Sequence, residues 1–518
     1  MTENRTFDGR FNNRQQPNWG RGGERLLRLT TPAYVAGDGL SGPDRPNPRV
    51  ISNIVCRQGS SKSVPSKDGL SHYVWAWGQF LDHEMSITEG AKPKEKANFC
   101  SPPDDPDLKN GLIPFGRSVY DRSTGTGPDN PRRQLNLLSS YIDGANVYGA
   151  DHTRGAALRS GTDGKLKTSK PSGGKEKGDL LPLNKFGLPN ANEGPAPGNT
   201  LFAAGDIRSN EHSVLTCLHT LFLREHNRIC DGLVKKAPYK GITSGKKRDE
   251  SVYQRARRLV GAKMQAITYE EFLPALLGED ALAHYAGYDA AVNASISNIF
   301  STVCYRLGHT MLPSTIPLIH GKKTSRIELR NAFFTPSLIE KHGVDAFLRG
   351  LASEPQQEID NLIVEDVRTF LFLVISGKQG ELLDLAALNI QRGRDHGLPD
   401  YNQCRADFGL SRKQSFSEIS GNRRTDQRLK KAYDGNIEAI DPWVGAISEA
   451  HVDNSPVGEL VYTVLKDQFE RLRDGDRFYY ENDPEFSEKE KGQLKKTRLA
   501  DIIKANTGFK DAKDVFQA

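Results

Sequence analysis

In the segment WAWGQFLDHEMSIT, Gln79, Asp82 and His83 stand at positions i, i+3 and i+4, so a helix there carries all three on one face. An imidazole takes and returns protons near neutral pH, and the trio could line one pocket. On spacing alone, however, a helical histidine beside an aspartate is more often a surface or core pair. A second cluster, GDIRSNEHSVLTCLHTLFLREHNR, sets Arg208 and Glu211 ahead of an apolar helix, near its positive end, where a carboxylate is ordinarily a cap. In NIFSTVCYRLGHTML, Arg306 and His309 lie three apart on a strongly apolar stretch. Such a histidine is usually a satisfied core residue; the functional alternative is an axial metal ligand. Finally, LNIQRGRDHGLPDYN packs Asn389, Arg392, Arg394, Asp395 and His396 together, a density suited to a helix-end network or a cofactor rim.

Several other chemistries lack their motifs. Ile87 stands where an HExxH zinc motif beginning at His83 needs its second histidine. There is no GxxxxGK[ST] loop or GxSxG elbow, and Gly20, Gly22 and Gly23 precede no strand-helix unit. The six cysteines, Cys56, Cys100, Cys217, Cys230, Cys304 and Cys404, are scattered without a CxxC, which suggests neither a disulfide scaffold nor a zinc ribbon.

The elements that must position these groups are predicted to be helices. Helical periodicity runs through Ser71–Met85, Glu211–Cys230, Ser251–Thr268, Ser297–Leu312 and Gln357–Ile375, while strand alternation is sparse and no repeat is found. A mainly α-helical single large domain with little β structure follows. Residues 1–25, poor in apolar groups and rich in Gly, Arg and Asn, read as an arm lying on the surface or disordered; 26–518 read as the domain. Lys165–Asp179 and Pro238–Asp249, dominated by Lys, Gly and Ser, read as exposed loops. The 71 Lys and Arg against 65 Asp and Glu give a net charge of only +6, spread along the chain, so nucleic acid is not implied. The longest strongly apolar run, Phe370–Ile375, is far too short to span a bilayer. No classical signal peptide is visible, which reads as a cytoplasmic protein or one exported by a leaderless route.

Taken together, WGQFLDHE, SSYIDGANVYG, GDIRSNE, HTLFLREHNR, YRLGHTM, LNIQRGRDHGLPDYN, WVGAISE and LRDGDRFYYEN, in that order, resemble the animal-type haem peroxidases of the peroxidase-cyclooxygenase superfamily. The lack of a long propeptide and of the family's usual cysteine pattern makes the chain look most like compact bacterial members. The resemblance implies a haem b enzyme that reduces hydrogen peroxide and oxidises halides, thiocyanate or small phenolic donors. It makes His83 the distal base, Gln79 its neighbour and Arg208 the distal cation. It also makes His309 the proximal ligand to the haem iron, Asn389 the amide behind that ligand, and Arg306 and Arg392 partners of the haem propionates.

Two further expectations come from the same resemblance. Asp82 and Glu211 match carboxylates that form ester bonds to the haem, while His212 stands where a methionine would be needed for a third, sulfonium bond. Glu84, Ser139, Tyr141 and Asp143 match a calcium site, with two departures: Glu84 stands for Asp, and Ala145 for a serine. A fatty-acid dioxygenase of the same superfamily is disfavoured, since its radical tyrosine falls at Arg306, and Tyr305, one residue early, is expected to point elsewhere. An adhesion or matrix module with a silent peroxidase fold has no chemical need for Gln79, His83, Arg208, His309 and Asn389 together.

Overall fold

Tyr73–Met85 folds as one helix whose buried residues lie on nearly every side, so it runs through the interior rather than over it. The computed structural model describes residues 3–59, 63–107, 109–192, 194, 196–370 and 383–518. The interior helix packs on a second, Ser213–Leu233, through Phe80, stacked on Phe222 with ring centroids 5.2 Å apart, and through Trp77, 5.5 and 5.6 Å from the same two rings. Truncating such a buried aromatic costs about 3–5 kcal/mol. Because Phe80 precedes His83 by less than one turn, this packing also sets where the histidine points.

The second helix starts where His212 accepts the Leu215 N–H on its Nδ1, replacing a bond the first turn cannot make internally. A third long helix, Gly245–Ile267, begins at a Ser244 cap, so the latter part of the predicted loop Pro238–Asp249 is helical. Helix Leu385–Asp395 is capped by Asp384, whose other oxygen accepts from the buried Arg49. One large cluster of buried apolar residues reaches from Leu26 to Phe516. Strand structure among the described residues is confined to three two-stranded antiparallel sheets, the longest joining Thr315–His320 to Lys323–Glu328. The mainly helical expectation is met, no cysteine is paired, and no helix among the described residues is long and apolar enough to cross a membrane.

Two predicted helices are corrected. Ser297–Leu312 is an α-helix only over Asn298–Thr302; Val303 departs to φ −120° and ψ −72°, and Cys304–Thr310 continues as a 3-10 helix. Ser301 and Thr302 donate back to the carbonyl and side-chain oxygens of Asn298, competing with helical bonding just before the β-branched Val303. Residues three apart eclipse in a 3-10 helix, so Arg306 and His309 stack on one side. Of the described part of Gln357–Ile375, up to residue 370, only Asp366–Phe370 forms a helical (π) turn; the rest of that prediction, with most of the apolar run, lies outside the described residues. The N-terminal arm is seated on the body: Arg5 pairs with Asp476 at 2.6 Å, and Asn12 and Asn13 are buried.

Candidate active site

The interior helix presents Gln79, Asp82 and His83 to a cavity, as the i, i+3, i+4 spacing requires. The turn before Ser213 supplies the neighbouring wall with Arg208, Glu211 and His212. Gly205 lets this turn approach: a Cβ there would sit 2.2 Å from the Ala145 carbonyl oxygen. The next residue, Asp206, accepts from the Arg208 backbone N–H at 2.7 Å and from its guanidinium at 3.0 and 2.9 Å. Asp206 Oδ1 also lies 3.5 Å from His83 Nδ1, and Glu211 Oε2 lies 3.6 Å from His83 Nε2. Arg208 Nη1 is 3.6 Å from Asp82.

A directional chain holds Glu211. His212 accepts on Nδ1, so its proton is on Nε2, which donates to Gln79 Oε1 at 2.6 Å. Gln79 is thereby turned so that its Nε2 donates to Glu211 at 3.2 Å.

The opposite wall is the 3-10 helix, with Arg306 and His309 facing the same cavity. Asn389, fully buried on helix Leu385–Asp395, places its amide 2.7 Å from His309 Nδ1. Arg306 donates to Ser301 O and to Asn389 Oδ1, and among the described residues it pairs with no carboxylate.

Burial, reinforced by Arg208, holds the His83 imidazole well below its ordinary range, so the ring is neutral at physiological pH. Burial opposes ionisation of Asp206, yet Arg208 and then His83 hold it down at about 2. Asp82 and Glu211 keep 37% and 34% of their side-chain surface, but that surface faces the cavity. Burial therefore still raises both, Glu211 to about 7, against the pull of Arg208. Burial lowers His309 to about 3 and Arg306 to about 10.

Seven residues singled out from the sequence thus meet in one cavity: Gln79, Asp82, His83, Arg208, Glu211, Arg306 and His309. Arg392 does not join them; its guanidinium is held by Gly116 O, Ser118 Oγ and Asp395. Arg394 pairs with Asp441, and His396 sits between Asn298 and Ser118, so these residues form a helix-end network. Tyr305 is a second correction: the tight 3-10 winding leaves it on the cavity wall, its ring stacked on Phe300 at 4.7 Å and its buried hydroxyl without a hydrogen-bond partner among the described residues. Asp206 and His212 were missed as site residues, although an acid two residues before a motif arginine is a readable hint.

The residues fit a haem. An imidazole stands on each of two walls, and Arg306 is a half-buried guanidinium that pairs with no acid among the described residues, an arrangement that suits a group bringing its own carboxylates. The residues expected to hold calcium are brought together only in part. Glu84 and Asp143 do meet, and Ser139 donates to Asp143, but the Glu84 carboxylate accepts the backbone N–H groups of Asp143, Gly144, Ala145 and Asn146. Tyr141 sends its hydroxyl away, to Trp19 O. Four backbone N–H donors thus occupy the Glu84 carboxylate, and Ala145 adds a donor where a hydroxyl ligand was wanted.

Comparison with known proteins agrees with this geometry. A sequence profile described as animal haem peroxidase matches residues 4–516. The chain is 34% identical to peroxinectin A of Dictyostelium discoideum, over 98% of this chain and 93% of that protein. It is 33% identical to thyroid peroxidase of Sus scrofa, over 98% of this chain but 59% of that one. Among solved structures, peroxidase A from Dictyostelium discoideum superposes with a TM-score of 0.88 at 32% identity, covering 100% of this chain and 99% of that one. A fatty acid alpha-dioxygenase from Arabidopsis thaliana shares the fold with a TM-score of 0.81 at 19% identity, over 99% and 83% of the two chains.

Proposed function

The chain belongs to the animal haem peroxidase family, and from that we propose that it reduces hydrogen peroxide to water while oxidising halides, thiocyanate or small phenols. The observation that carries this reading is one cavity with His83 and Arg208 on one wall and an Asn389-backed His309 on the other. Haem held by His309, with Arg306 at a propionate, would supply the iron centre through which electrons pass from donor to peroxide. Residues 26–518 form the catalytic unit in this reading, with 1–25 as an N-terminal arm whose described part, from residue 3 onward, is seated on it.

His83 takes a proton from hydrogen peroxide on Nε2 and returns it to the distal oxygen, which leaves as water. Asp206, anionic and 3.5 Å from Nδ1, favours the tautomer that keeps Nε2 free to accept. Arg208 stays protonated and stabilises negative charge as the O–O bond breaks. Its guanidinium cannot swing away, because Asp206 grips it twice. Gln79, fixed by His212, presents its amide at the same cavity and orients small polar substrates there.

Purified protein examined by absorption before and after peroxide, then with iodide, bromide, thiocyanate and a phenol, tests the function. A haem spectrum altered by peroxide and restored by one of these donors is expected; indifference to peroxide would leave a silent binding module. Because Tyr305 reaches the cavity wall, the fatty-acid oxygenase reading keeps one observation in its favour. Arg306 nevertheless holds the position three before His309, so no dioxygen uptake with common fatty acids is expected. Vigorous uptake abolished by Tyr305→Phe would reverse that.

The neutral imidazole is the working form of His83, and the protonated form cannot accept. Since burial and Arg208 hold its pKa well below 6.5, the rate of reaction with peroxide should stay level as pH falls through 6.5 and decline only well beneath it. A stopped-flow profile whose loss is centred at or above 6.5 would contradict this environment for the base.

A further inference from the structure

Outside the catalytic cavity, Glu358 is 3% exposed, and only one of its carboxylate oxygens is occupied by a hydrogen bond, from the Lys67 N–H at 3.0 Å. The other, Oε1, has no hydrogen-bond partner among the described residues, a costly state for a buried acceptor. Oε1 faces His451 Nδ1 at 4.0 Å. The other ring nitrogen, Nε2, lies 2.7 Å from the Ile359 carbonyl oxygen. A carbonyl only accepts, so Nε2 carries a proton, and in its neutral form the ring turns a lone pair on Nδ1 towards a carboxylate oxygen. Two acceptors facing each other need a positive charge between them. Asp68 closes the group: ligating atoms of Asp68, Glu358 and His451 all lie within 4.8 Å of one another.

We propose that Asp68, Glu358 and His451 bind one divalent cation of the zinc class, through two carboxylate oxygens and one imidazole nitrogen, with solvent completing the shell. Mixed nitrogen and oxygen donors suit a borderline ion better than calcium or magnesium, which favour oxygen alone. The Ile359 carbonyl plays the orienting part that backbone carbonyls commonly play for metal-bound histidines. Tetrahedral zinc with bonds of about 2.0–2.2 Å holds its ligand atoms roughly 3.4 Å apart, so Nδ1 and Oε1 must close by less than about 1 Å. Asp68 is exposed and can follow.

The ion would sit where both walls of the catalytic cavity are tied. Gln356 N donates to Leu70 O, just before the helix that carries His83, and Gln357 N donates to Met311 O, two residues after His309. Glu358 N itself donates to Val64 O at 2.7 Å. A cation joining Glu358 to Asp68 and His451 braces this crossing, so its role is structural.

The test uses full-length, haem-loaded protein freed of adventitious metal with a chelator, then dialysed against zinc chloride with metal analysis. One zinc per chain is expected, with uptake weakened at least about tenfold by Asp68→Asn, Glu358→Gln or His451→Gln. Zinc should raise the melting temperature of the parent protein and not of the variants, and zinc-edge X-ray absorption should lose its imidazole scattering in His451→Gln. Asp68→Asn changes an exposed side chain, so it serves even if the buried Glu358→Gln variant fails to fold. Absence of uptake, the result if His451 is instead an imidazolium paired with Glu358, overturns the proposal, as does uptake unchanged in Asp68→Asn and His451→Gln.

Discussion

His309→Ala should leave a folded protein that no longer retains haem, whereas His83→Ala should retain haem and react with peroxide about 10²–10⁴-fold more slowly. His83 is buried, His309 is half-buried and both are neutral, so composition alone does not separate them; their partners do. His309 is backed by the neutral amide of Asn389, the kind of neighbour that fixes a metal-bound imidazole. His83 instead faces Asp206 through Nδ1 and shares its cavity wall with Arg208, the surroundings of a proton carrier. Haem content by pyridine haemochrome and peroxide rates by stopped flow read the two effects separately. Haem loss in His83→Ala with retention in His309→Ala would reverse the assignment.

After peroxide turnover, the haem of the parent protein should resist acidic organic extraction, while an Asp82→Val, Glu211→Gln double variant should release all of it. Both carboxylates line the cavity with about a third of their surface open to it (37% and 34%), and neither is a helix cap, the ordinary fate of such residues. Glu211 is aimed by Gln79, itself turned by His212, so the attachment carboxylate is held rather than free to swing. The position that would need a methionine for a sulfonium bond holds this His212, committed on both ring nitrogens. Two ester links and no third bond are therefore expected by mass spectrometry of the retained adduct. Intact haem extracted from peroxide-treated parent protein would exclude them.

Much of the site was legible before any coordinates. A helical period places Gln79, Asp82 and His83 on one face whatever surrounds them, since that depends only on local geometry. The apolar runs at Tyr73–Met85 and Ser213–Leu233 likewise announce buried helices, because burial of such faces dominates the energetics. Other features were settled only by chain segments far apart in sequence. Arg392 sits in a plausible motif, but Asp395, the Gly116 carbonyl and the Ser118 hydroxyl capture its guanidinium. Tyr305 reaches the cavity because the chain leaves α geometry at Val303, a break set by side-chain bonds to Asn298.

The calcium motif shows the same division. Residue types brought Glu84 and Asp143 together correctly, but whether a carboxylate meets a cation or a row of N–H groups depends on the backbone path around Gly144. The pairing of Asp68 and Glu358 with His451 was invisible for the reason that hides most such clusters: ligands drawn from three separate loops leave no spacing to read. Periodicity and motif order thus determined the helices and the reacting side chains. Which acceptors face donors, and which are left facing each other, was decided by tertiary packing, because hydrogen bonds and charges act over a few ångströms of space and not along the chain.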